Sequence, residues 1–147
     1  MVRKHSAQAT ARRPFSLRLA DDGIRSLQEE AARYRVAPRT LAQELLEEGL
    51  RMRRYPAIAF ADRGGRRRAV FARFPRLRVA QAIETARASA SLAEAGDYLA
   101  VPVADLEQAI DYYRAHRDEI DRELDLDRTE SERAEEAWRA RSTFATR

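Results

Sequence analysis

RPFSLRLA, Arg13 to Ala20, is the stretch on which the reading of the whole chain turns. Phe15, Leu17 and Leu19 alternate with Pro14, Ser16 and Arg18, and a period of two marks a strand with one buried face. Immediately after it Ile24, Leu27, Ala31 and Tyr34 recur at spacings of three and four, the pattern of an amphipathic helix. Asp21 or Asp22 is placed to cap that helix. After a break at Val36–Ala37–Pro38, a second helix is predicted from Ala37–Arg39, because proline is tolerated in a first turn. It ends on Arg51, Arg53 and Arg54, whose charges suit the C-terminal dipole, ahead of Pro56. Leu41, Ala42, Leu45, Leu46, Leu50 and Met52 give this second helix a wider apolar stripe than the first, so it should be buried against more than one neighbour. A lone strand cannot pair its own backbone groups. Strand and stripe both predict association with a second copy of the chain.

A strand followed by two helices and obliged to dimerise resembles the ribbon-helix-helix family of DNA-binding proteins, and the match covers residues 13–52. VAPRTLAQELLEEGL, Val36 to Leu50, is similar to the family's second-helix entry. The resemblance implies a homodimer whose paired strands lie in the major groove of double-stranded operator DNA. Carried over by alternation, the outward positions are Pro14, Ser16 and Arg18, with Arg13 at the strand start. Arg18 can contact guanine in bidentate fashion and Ser16 can contact several bases. The family also holds phosphate with amides at the start of the second helix. Ala37 offers no capping oxygen and Pro38 no N–H, so here that grip falls to Arg39 and Thr40.

Of the 147 residues, 44% are hydrophobic and 35% charged, which suits one medium or two small folded domains. The absence of cysteine excludes disulfides and thiolate metal sites. No apolar run approaches the length of a membrane span, and the basic start MVRKHSAQATARRP lacks the apolar stretch of a secretory signal, so a cytoplasmic protein with no membrane partner is expected. A single lysine beside 27 arginines reads as a coding bias. The net charge of +4 hides an asymmetry: residues 1–80 hold 19 basic and 8 acidic residues, whereas residues 81–147 hold 9 and 16. The basic part suits a polyanion; the acidic part suits a protein, or simply solvent.

Residues 1–12, with Arg3, Lys4 and Arg12, read as a disordered basic arm, either a frayed terminus or a phosphate contact. Ala57–Phe60 and Arg68–Phe71 read as two strands around Asp62–Arg63–Gly64–Gly65, with Arg66, Arg67 and Arg68 crowding a hairpin that could lie on the DNA backbone as a basic wing. Val79, Ile83 and Ala86 begin a further helical run. SLAEAGDYLAVPVADLEQAI, Ser91 to Ile110, then resembles a helix-turn-helix, with Ala95 at the tight crossing and Ala100 where glycine is usual. Asp105, Glu107 and Asp111 on its second helix would repel phosphates, so this unit is expected to bind protein or pack the dimer.

YPAIAF, RLRVAQAIETARASASLAEAGDYLAV and AIDYYRAHRDEID, within residues 55–124, resemble a domain of VapB-type antitoxins, with Tyr55–Pro56–Ala57 where that family often has histidine-proline-glycine. The resemblance implies a type II toxin-antitoxin system: an antitoxin that represses its own operon and neutralises a PIN-like ribonuclease toxin with its C-terminal segment. Here that segment is 125–147, of which residues 127–141, DRTESERAEEAWRAR, are helix-prone but nearly without an apolar stripe. Trp138 could anchor it, with Phe144 alongside, and Arg139 or Arg141 could pair with the toxin's metal-binding carboxylates. The plain alternative is a tail with no fixed partner. Nothing suggests an enzyme, a cofactor or a metal site. His5 and His116 have no partner implied by spacing, and the acids from Asp118 to Asp127 read as a solvated helix face. The expected fold is therefore mainly α. A dimeric β-α-α ribbon-helix-helix at 13–54 precedes a hairpin plus tri-helical helix-turn-helix-like domain at 55–124 and a helical tail at 125–147. The rival reading is a stand-alone ribbon-helix-helix transcriptional repressor without a toxin.

Overall fold

The structure is a computed structural model that describes residues 14–145, with side chains as far as Ser142. The expectations for the arm at 1–12, for Arg13 and for the Phe144 side chain lie outside the described residues. The fold is mainly helical with one small antiparallel sheet. Its elements are α1 (Asp21–Tyr34), α2 (Pro38–Arg54), β1 (Ile58–Arg63), β2 (Arg66–Phe71), α3 (Val79–Ala88), α4 (Leu92–Leu99), α5 (Val103–Ala115) and α6 (Arg117–Ala145). The chain divides into two compact units, 1–43 and 44–147, and the division falls inside α2.

In the first unit, residues 14–20 have no regular secondary structure and all are exposed. The predicted strand is therefore not formed within a single chain. Helix α1 follows, and its N-cap is Ala20, which offers no side-chain cap. Asp21 and Asp22 act instead as first-turn charges, favourable at the positive end of the helix dipole. Arg35, with φ of 55°, ends α1 in the left-handed region.

The second unit has a closed core. The hairpin turns at Gly64 and Gly65, with φ of 59° and 72°. Positive φ at both central residues is what a two-residue hairpin connection of right-handed twist requires, and glycine adopts it without strain. The strands extend further toward this turn than their apolar pattern suggested, pairing from Ile58 with Phe71 to Arg63 with Arg66. Tyr55, Ile58 and Phe71 pack with Val79 and Ile83 of α3, Ala95 of α4, Leu106, Ala109 and Tyr112 of α5, and Ile120 of α6. Burying one large apolar side chain of this kind contributes roughly 1.5–3 kcal/mol.

Ser91 caps α4, its hydroxyl accepting from the Glu94 N–H at 3.1 Å. Ala100 closes α4 with φ of 54°, the conformation that glycine would adopt more easily. Ala95 is fully buried as expected, but the residue with no spare room is its neighbour Gly96, where a Cβ would lie 2.9 Å from the Val101 carbonyl oxygen. Helix α6 runs 29 residues without a break through position 125. Ile120 and Glu123 are buried and Leu124 packs on the core, whereas residues 128–141 are all exposed. Among the described residues no helix is long and apolar enough to cross a membrane.

Candidate nucleic-acid interface and the ion pairs behind it

The residues expected to read bases lie on the irregular stretch before α1. Ser16 and Arg18 are exposed, and so are the apolar residues that alternate with them: Phe15 at 77%, Leu17 at 62% and Leu19 at 43%. Arg39 and Thr40 sit exposed in the first turn of α2, directly after Pro38. That turn holds no acidic residue, so nothing in it opposes an anion. Beyond the buried Leu41, the apolar stripe of α2 is open to solvent: Leu45, Leu46, Leu50 and Met52 are 50%, 46%, 61% and 43% exposed.

The hairpin arginines are placed differently from the expectation of a bare basic wing. Arg67 donates through Nε and Nη2 to the two oxygens of Glu48, both at 2.8 Å, a bidentate pair. Arg68 is nearly buried and sits 2.8 Å from Glu123 and 3.3 Å from Asp127. Arg78, just before α3, donates to the same two carboxylates at 2.7 and 2.6 Å. Arg66 reaches Glu130 at a looser 3.7 Å. The three arginines assigned to phosphate thus already face carboxylates, and three of those four acids lie along α6. Burial works against the charge of Arg68, but its bond to Glu123 and the fields of Glu123 and Asp127 outweigh it, and its pKa is raised. The acids of α6 are accordingly more than a solvated face: Glu123 is buried and held by two arginines.

A second polar cluster joins the end of α2 to α5 and α6. Arg51 Nη1 donates to Glu119 at 2.7 Å and to the Tyr112 hydroxyl at 3.1 Å, and that hydroxyl donates to Glu119 at 2.7 Å. Burial, followed by the bond to Glu119, pushes the Tyr112 phenol above its ordinary pKa. The Tyr112 ring meets Tyr55 edge-on at 5.4 Å and His116 at 4.5 Å. His116 is the C-cap of α5, its backbone N–H bonding to the Tyr112 and Tyr113 carbonyls. Its pKa is lowered, first by burial and then by Arg51, with Glu119 opposing and Arg54 adding a little. On α5, Asp105 is largely buried and accepts from Arg73 at 2.8 Å.

The residues assigned to a protein partner lie on the exposed half of α6. Trp138 is 67% exposed. Arg139 pairs with Glu135 one turn earlier, and Arg141 donates to the Ala137 carbonyl at 3.3 Å. Sequence reading missed Arg51, Arg78, Glu123 and Asp127. A signal for the two acids was present: Glu119, Glu123, Asp127 and Glu130 recur at spacings of four, four and three, one acidic stripe along a helix. No family model, no curated protein and no solved structure matches the chain.

Proposed function

We propose that the chain is a dimeric DNA-binding antitoxin of the ribbon-helix-helix kind, which represses its own operon and neutralises a PIN-like ribonuclease. The observation that carries this reading is the solvent-open apolar set at the front of the chain. Phe15, Leu17 and Leu19 alternate with polar residues, and α2 exposes Leu45, Leu46, Leu50 and Met52. Apolar surface of this extent is a cost in water that a partner removes. In this reading the partner is a second copy. Two 14–20 segments would pair as antiparallel strands, with the apolar side chains inward and Ser16 and Arg18 outward to base edges. Arg39 and Thr40 would hold backbone phosphate at the start of α2. The outer half of α6, with Trp138 exposed and Arg139 and Arg141 nearby, would dock on the toxin.

The test is sedimentation together with operator binding. The protein is expected to be a dimer at micromolar concentration. Arg18→Ala should keep the dimer but lose discrimination between operator and unrelated duplex, a bidentate guanine contact being worth about 1–3 kcal/mol. A monomer, or an Arg18→Ala protein that folds and discriminates as well as the wild type, would overturn the reading.

A further inference from the structure

We infer that the hairpin carries a docking surface for the phosphate backbone of duplex DNA, and that in the free protein α6 caps it with its own carboxylates. The inference rests on the DNA-binding reading above and adds the regulation of a second contact. Its starting point is the sharing of charge at the root of the hairpin. Arg68 and Arg78 share two acids, Glu123 and Asp127, while Arg66 reaches out to Glu130. Beside these pairs lies a cleft of about 110 Å³ lined by four arginines, Arg66, Arg67, Arg68 and Arg122, with Glu119 and Glu123. Both glutamates are already engaged, Glu119 by Arg51 and Tyr112 and Glu123 by Arg68 and Arg78. Arg66, Arg67 and Arg68 face carboxylates in turn, so an anion entering the cleft competes with those acids for them.

The acids that cap this surface differ in how firmly they are held. Glu123 is buried and lies between Ile120, which is wholly buried, and Leu124, which packs on the core, so it stays with the core. Asp127 is 28% exposed and Glu130 58% exposed, at the point where α6 leaves the core. Exchange of the Asp127 and Glu130 carboxylates for other anions leaves the buried Glu123 in place. Arg68 and Arg78 then share a single carboxylate and Arg66 has none of its present pairing, which uncovers about two positive charges. In this reading two backbone phosphates take over the arginine pairings that Asp127 and Glu130 make in the free protein. DNA and the carboxylates of α6 compete for the surface.

The test uses the full-length protein and a short mixed-sequence duplex, with affinity measured across a salt series. Asp127→Asn with Glu130→Gln should bind more tightly than wild type, and its log–log salt slope should be steeper by about 2, at roughly 0.9 per phosphate gained. Glu132→Gln with Glu136→Gln changes net charge equally on exposed positions of the same helix and should leave the slope unchanged. Glu130→Gln alone, a substitution at an exposed side chain that the fold tolerates, should steepen the slope by about 1. The inference is overturned if the capping and control variants show the same slope, or if neither capping variant binds more tightly than wild type at low salt. Loss of operator discrimination has its own readout in Arg18→Ala. A failure of base reading is therefore distinguishable from a failure of the cap.

Discussion

The two ends of α2 belong to regions built on different terms. From Tyr55 onward a core closes within the chain: Ile58, Phe71, Val79, Tyr112 and Ile120 are at most 1% exposed. From residue 14 to Met52, an equally regular pattern leaves Phe15, Leu17, Ile24, Leu46 and Leu50 more than 40% exposed. Periodicity is a statement about which face must be covered, and it does not say by what. In one region the covering elements arrive within a few dozen residues. In the other, the described chain contains too little to close over the pattern.

The sharpest way to break this contrast is to truncate one residue of each kind. Phe71→Ala, in the closed core, should cost about 3–5 kcal/mol in urea unfolding, with no dependence on protein concentration. Leu50→Ser, on the open face of α2, should change unfolding of the isolated chain by less than about 1 kcal/mol and instead weaken self-association. Equal costs at both positions would mean that the two regions are not different in kind.

A smaller effect should follow from pH. The His116 pKa lies below its ordinary 6.5 in the folded state, through burial first and Arg51 second. The unfolded chain therefore takes up a proton more readily, and stability should fall as pH drops below about 6.5 toward the folded value. Replacing His116 with Gln should flatten the melting temperature between pH 7 and pH 5. An unchanged slope would mean that His116 is not the source of the acid sensitivity. The smallest effect has the opposite sign. Ala100→Gly removes a left-handed alanine and should raise stability by about 0.5–1 kcal/mol in the same melts.

The helices, the glycine turn of the hairpin and the special position of Ala100 were legible in the sequence because each depends on neighbours a few residues away. Ion pairing was not. Arg78 meets Glu123 across 45 residues and Arg51 meets Glu119 across 68, separations that no local pattern encodes. For the same reason Arg66, Arg67 and Arg68 read as an open basic patch, although each has a carboxylate facing it. The acidic half of the chain was read as suiting a partner or solvent, and part of it instead faces the basic half. The stretch Arg13–Ala20 stands apart: its alternation is plain in the sequence, yet within one chain Pro14–Ala20 takes up no strand.

The unbroken course of α6 has one more consequence. Starting a helix is the unfavourable step, and extending one is nearly neutral per residue. Ile120 and Leu124, fixed on the core, perform that step once, so the polar residues beyond them inherit a template they could not have made alone. Whatever molecule meets Trp138 therefore encounters a rod already about 43 Å long, with the start of the coil-to-helix transition behind it.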